Sequence, residues 1–285
     1  MTTILLGLIT ALTYGFADFF GAVASKKIKP ILVTGLASAS GLVLLLVAAL
    51  WMGADFSSGA VNWGIASGFA SAFALTCLYA ALALGPISIV SPITAVVSAI
   101  VPSIVGLAQG DSFSIWGWLA LGLILLAVIF VGFVPGDDVR LPSLPAILYS
   151  LGAGIGIGFV LIFLDAAPAD SGLAPIIMLR TVGAIVLAAA SVVAIGLDRR
   201  AGRRAERVSP KLWMAVVVTG VFDSLANIFF ITASRSGSLT VVGVLTALYP
   251  VGTILLARFV LKERIAVSQS IGIGLAIAGS VLLAL

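Results

Sequence analysis

The sequence predicts an all-α integral membrane fold of ten transmembrane helices, built as two inverted five-helix repeats over residues 1–135 and 143–285. Three observations predict it. Apolar residues make up 61% of the 285 positions and charged residues only 9%, against roughly 45–50% and about 25% in an ordinary soluble domain. The apolar residues gather into runs of about 20, the length a helix needs to cross the hydrocarbon layer. The second half also echoes the first at one constant offset.

A soluble globule of this length cannot bury so much apolar surface, because its outside must still face water. A bilayer removes the conflict, since the lipid-facing surface is apolar too. The pI near 9.5 raises nucleic acid as a partner. The basic residues sit in short gaps between apolar runs, however, with no basic stripe interleaved with aromatics, so no nucleic acid is expected. Cys77 is the one cysteine and lies inside an apolar run, which leaves no disulfide framework or cysteine metal cluster. The chain has no histidine, which removes the commonest metal ligand and the commonest acid–base group. No catalytic residue, metal or cofactor is expected.

The first run covers about 4–24 and lacks a basic leader and a small-residue cleavage site, so it reads as a retained helix rather than a signal peptide. The next four cover roughly 31–51, 62–84, 86–108 and 114–134. The second five cover roughly 145–165, 173–196, 211–233, 238–260 and 266–285. Turn chemistry or charge separates them, as at Ser25-Lys26-Lys27, Gly53-Ala54-Asp55, Gly85-Pro86, Gly110-Asp111 and Gly136-Asp137-Asp138. Gly152, Gly154, Gly156 and Gly158 make two overlapping small-xxx-small pairs, and Gly272, Gly274 and Gly279 punctuate the last run. A phosphate-cradling loop needs a G-x-G-x-x-G that this spacing does not complete. Close helix packing is the expectation.

A shift of 152 residues pairs Gly68 with Gly220, Gly85 with Gly237, Thr94 with Thr246, Ala95 with Ala247, Asp111 with Glu263 and Gly122 with Gly274. Five spans per repeat is an odd number, which forces the halves into opposite membrane orientations. With alternate gaps on one side, thirteen Lys and Arg share a side, from Lys26, Lys27 and Lys29 to Arg258, Lys262 and Arg264, while only Arg235 lies on the other. Short-loop positive charge marks the cytoplasm, so both termini are expected outside a multi-pass cell (inner or plasma) membrane.

The stretch Gly237 to Arg258, with Leu248-Tyr249-Pro250 inside it, then Leu261-Lys262-Glu263-Arg264 and a glycine-rich last span, resembles the ninth-to-tenth helix region of the EamA family in the drug/metabolite transporter superfamily. Gly85-Pro86-Ile87-Ser88-Ile89-Val90-Ser91-Pro92 repeats it in the first half, and Tyr14-Gly15-Phe16-Ala17-Asp18-Phe19-Phe20-Gly21 is similar to the first-helix pattern of one bacterial subgroup. The resemblance implies two EamA-like five-helix units around a central cavity, lined by helices one, three, four, six, eight and nine, and alternating access. The loop charges depart from the family, many of whose members keep both termini in the cytoplasm. Glu263 also has only the shorter Asp111 as its counterpart.

Charges within spans cost at least about 2.5–3.5 kcal/mol on insertion scales and so face water or a partner. Asp18 lies roughly 12 Å from the Lys26 end of its span, placed to bind a cationic group or a proton, or simply to face the basic vestibule. Asp223 sits near the middle of the eighth run with Asn227 one turn later on the same face. Their first-half counterparts are Ser71 and Leu75, so the pair breaks the repeat. It suits proton coupling or an interhelical hydrogen bond. Arg180 is expected to snorkel to headgroups or to pair with Asp165 or Asp170, with substrate contact as the alternative. Tyr14, Tyr79 and Tyr249 suit either cavity hydrogen bonding or packing. Pro92, Pro102 and Pro250 lie within spans and mark kinks or broken helices, and Thr94 follows Pro92. Trp51, Trp63, Trp116, Trp118 and Trp213 fall near span ends, as in an aromatic belt. The loop from Asp198 to Arg207 reads as solvated, with anionic lipid as a secondary partner.

The expectation is a secondary transporter of a small organic metabolite, gradient-driven or exchanging, with Asp223 or Asp18 as candidate proton couplers. No ATP-binding motif is present. Its partners are the small-molecule substrate and the lipid bilayer, with a homodimer left open. A channel or metal-ion permease is the alternative, disfavoured because an ion path needs rings of carboxylates or carbonyls. An intramembrane enzyme is disfavoured by the missing nucleophile–base set.

Overall fold

The computed structural model describes residues 1–25, 27–84, 87–132, 142–200, 208–260, 262 and 266–284. Lys26, Gly85-Pro86, Gly136-Asp137-Asp138, Arg140, Arg203, Arg204, Arg207, Glu263 and Arg264 lie outside them, as do the side chains of Tyr79 and Asp198.

The helices are α1 (Thr2–Ser25), α2 (Pro30–Met52), α3 (Ser58–Leu84), α4 (Ile87–Ala108), α5 (Ile115–Gly132), α6 (Leu144–Asp165), α7 (Ala174–Arg200), α8 (Pro210–Ser234), α9 (Leu239–Thr246), α10 (Tyr249–Val260) and α11 (Val267–Ala284). A 3-10 turn, Ala169–Ser171, precedes α7. Prolines open α2, α6 and α8, where the missing N–H would have had no helical partner. Ser143 caps α6 and Ser238 caps α9 through their hydroxyls. Eight helical stretches are long and apolar enough to cross a membrane, with Leu239–Val260 taken as one, and two shorter apolar helices cover Pro92–Ala108 and Val267–Leu283.

One expected element differs. The ninth run is not a single helix: it breaks at Ala247-Leu248 into α9 and α10. Pro250 has no N–H and its ring crowds the carbonyl four residues back, so the first helix stops at Thr246 and the second starts with proline in its first turn. Pro92 and Pro102 lie inside α4 without ending it.

Helix pairing follows the small residues. A Cβ at Gly154 would lie 2.6 Å from Val97 Cβ, and one at Gly158 would lie 2.6 Å from Val101 Cβ, so these two glycines seat α4. Gly152 and Gly156 face Cys77 and Ala74 of α3. The stripe therefore packs one helix onto two others, as expected from its spacing.

Contacts along each pair also give direction. Gly35 meets Leu187 and Gly183 meets Ser38, so α2 and α7 are antiparallel. Gly272 meets Val131 and Gly279 meets Ile124, so α5 and α11 are antiparallel. The neighbours of α1 are α8 and the α9–α10 pair; those of α6 are α3 and α4. Exchanging the halves leaves this contact pattern unchanged.

On the face that carries the N-terminus, the halves are joined by hydrogen bonds. Thr3 Oγ1 donates to Ser236 O (2.9 Å). Asp55 N donates to Ser171 O and Leu173 N to Gly53 O, both at 3.1 Å, around an isolated Ala54–Gly172 bridge. Arg235 braces the same corner by donating to Pro168 O (3.1 Å) and Ser171 Oγ (3.2 Å). Burial pulls its guanidinium below the ordinary arginine range, and Asp170 and Asp165 oppose that shift. Lys27 and Lys29 follow the far end of α1, level with Lys211 at the start of α8.

Candidate functional site

The site forms where α1 and α8 run antiparallel. Thr3 lies against Ser236 at one end, and Gly21 lies against Thr219 at the other. That register sets Tyr14 opposite Asn227 and Asp18 opposite Asp223. Residues four apart share a helix face, so each helix offers two polar groups to the other.

Tyr14 Oη donates to Asn227 Oδ1 at 3.0 Å. Asn227 Nδ2 donates back along its own helix to Asp223 O at 2.7 Å. The amide therefore has both ends occupied, and the tyrosine ring is fixed across the α1–α8 interface. Asp223 is ion-paired with Arg180 of α7. Helices α7 and α8 make few other contacts, so this pair spans the gap between them. Asp18 interacts electrostatically with Asp223, and Tyr14 with Asp18, Arg180 and Asp223. Five of the expected residues are thus brought together: Tyr14, Asp18, Arg180, Asp223 and Asn227.

Exposure grades across the cluster. Arg180 is 5% exposed and Asn227 3%, the Asp223 side chain is 28% exposed, and Asp18 is exposed. Asp18 lies on the same face of α1 as Tyr14, one turn along, in the register that sets it opposite Asp223. Arg180 Nε and Ser224 Oγ are buried with no hydrogen-bond partner among the described residues. Beside the charges, Phe222 stacks on Phe20 (6.2 Å) and meets Phe16 edge-on (5.5 Å). The sequence reading passed over these rings, although Phe16 and Phe20 are one turn apart on α1 and Phe222 adjoins Asp223.

The expectation for Arg180 is corrected. It neither snorkels to headgroups nor pairs with Asp165 or Asp170. It turns inward to Asp223, because a carboxylate within reach at the same depth satisfies the guanidinium better than a longer route to the interface. Asp165 instead lies near Ser234 and Arg235.

The remaining candidates lie elsewhere. Thr94 is fully buried and donates to Ser150 O (3.3 Å), joining α4 to α6. Pro92 is buried against Gly132 of α5. Tyr249 and Pro250 open α10, where the backbone meets Gly15 closely and Thr253 Oγ1 donates to Gly15 O (3.0 Å). This junction adjoins Tyr14 through the chain.

The fold and the site together define a polytopic helical membrane protein with two related halves and a polar cluster held between its helices. The sequence profile of the EamA-like transporter family matches residues 1–133 and 144–285, and the chain belongs to that family. Among curated proteins none matches the chain. A solved crystal structure superposes with a TM-score of 0.80 over 98% of this chain and 95% of its own, at 15% identity, a likeness of fold.

Proposed function

We propose that the chain is a secondary transporter, gradient-driven or exchanging, that carries a small organic metabolite by alternating access between two inverted five-helix units, 1–135 and 143–285, ten spans in all. The basic loop ends are its cytoplasmic face, and both termini lie outside. The antiparallel packing of α2 on α7 and of α5 on α11 supports inversion, because these helices hold equivalent places in the two halves. The reading is carried by the opposition of Asp18 and Asp223 across α1 and α8, with Arg180 holding Asp223. Ionisable groups at membrane depth that face an interior opening mark a substrate or ion path.

Within that site Asp18 is the group exposed to a ligand, and Asp223 is held by its arginine. Asp18 is therefore the acceptor for a proton or for a cationic group of the substrate, and Asp223 sets the local field. A thermal-shift screen of purified protein against a metabolite library finds the ligand. Flux in proteoliposomes across a pH gradient then tests coupling. Asp18→Asn abolishes the pH dependence, whereas unchanged pH dependence in both Asp18→Asn and Asp223→Asn removes proton coupling from the proposal.

A further inference from the structure

We propose that Asp111 is one latch of the closed N-terminal face, fixing the start of α9, so that release of this carboxylate weakens the closed state and shifts that face toward opening. The inference rests on the alternating-access reading above. Asp111 belongs to the first half, in the corner between α4 and α5, and its two partners belong to the second. Its Oδ2 accepts from Ser238 Oγ at 2.6 Å and from Thr240 N at 3.1 Å. Both bonds are charge-assisted, and the carboxylate sits at the amide end of the α9 dipole, where negative charge is favoured.

The corner is shaped for this contact. Gly110 has φ +106, a left-handed backbone that side chains resist. Asp111 N folds back to Gly106 O at 3.0 Å. A Cβ at Gly106 would crowd the Asp111 carboxylate and Thr240 Oγ1, so glycine there admits the carboxylate to the helix end. Thr240 Oγ1 adds a bond to Ser103 O (3.2 Å).

What the latch holds is a separate short piece. Every residue of α9 is buried, wedged between α4, where Gly243 meets Pro102, and α1, where Leu245 meets Gly7. Its other end is the break at Ala247-Leu248. A half-helix hinged at one end and tied at the other moves as a unit more readily once a tie is weakened. Thr246, at the hinge, has a buried Oγ1 with no partner among the described residues, a group that gains from water when the face opens.

Two cysteine reporters in a Cys77→Ser background test this: Thr246→Cys at the hinge, and Thr219→Cys on the Asp223 face of α8 toward the opposite end. Labelling by a charged maleimide is timed in reconstituted protein. Asp111→Ala removes two charge-assisted hydrogen bonds, either of which allows about a tenfold effect, so it raises the rate at the Thr246→Cys reporter by about tenfold or more and lowers the rate at the Thr219→Cys reporter. Asp111→Asn, which keeps an acceptor but no charge, gives a smaller rise. An unchanged rate at the Thr246→Cys reporter in both variants overturns the latch, and so does a rise at both reporters, which is general loosening. A rise at Thr246→Cys with no change at Thr219→Cys upholds the latch and overturns alternating access instead.

Discussion

Removing either member of the Arg180–Asp223 pair strands the other, and the structure says which loss is worse. The Arg180 side chain is 7% exposed and that of Asp223 is 28% exposed. A stranded Asp223 can draw water from the opening it faces or take up a proton, whereas a stranded Arg180 can do neither, since guanidinium does not give up its proton in proteins. Breaking a fully buried pair costs about 3–5 kcal/mol. Asp223→Ala should fall near the bottom of that range, about 3 kcal/mol, and Arg180→Ala, relieved by hydration, nearer about 1.5 kcal/mol. The Asn227 bond goes to the backbone oxygen of residue 223 and survives both changes, so the difference reports charge. Unfolding in mixed micelles titrated with denaturing detergent measures each variant and the double variant. The double should cost less than the sum of the singles by about 1.5–3 kcal/mol, as groups in one network do. Arg180→Ala as costly as Asp223→Ala, or strict additivity, would refute the assignment of Arg180 as the desolvated partner.

Gly15→Ala should destabilise by about 1–3 kcal/mol, because its Cβ would meet the Tyr249 carbonyl oxygen, Gly252 Cα and Thr253 N, all backbone that cannot swing aside. Gly274→Ala, with nothing within 4 Å of the new Cβ, should gain up to about 1 kcal/mol of helix propensity; the same detergent titration compares them. A C-terminal reporter active only outside the cell should be active, and an alkaline-phosphatase-type fusion that stays silent would reverse the orientation argued from the basic loops.

Composition made the helices legible, because a run of about 20 apolar residues has few other uses. The repeat was legible only in part. Its offset of 152 matches the observed helix starts in α3 and α8 (Ser58, Pro210), in α4 and α9 (Ile87, Leu239) and in α5 and α11 (Ile115, Val267). It fails for the first two helices of each half, since α7 runs on to Arg200 and α8 waits until Pro210, while α2 ends at Met52 and α3 starts at Ser58. Within the site, depth and face singled out Asp18, Asp223 and Asn227. The partner of Arg180 was not legible, since sequence distance made Asp165 and Asp170 look nearer than a carboxylate on another helix. Thr94 and Thr246 pair in the repeat but hold different places: Thr94 donates to Ser150 O, and Thr246 ends α9.

The two halves share a frame but not a lining. On α1 the face turned to α8 carries Tyr14 and Asp18; on α6 the face turned to α3 carries Gly152 and Gly156, against Cys77 and Ala74, and Asp223 answers to Ser71. The α3–α6 interface is packed by small and apolar groups, with Gly156 on Ala74 and Trp63 tilted on Phe163 at 5.6 Å, and carries one Ser67 Oγ to Val160 O bond. Its counterpart, α1–α8, is wedged by a tyrosine, two carboxylates and an amide. Burying charge in lipid is costly and close packing between membrane helices is favourable, so two equivalent interfaces need not be equally polar. In the proposed transport cycle one interface would hold the halves together while the other opened, so that a symmetric frame could exchange its two faces with the chemistry kept on α1, α7 and α8.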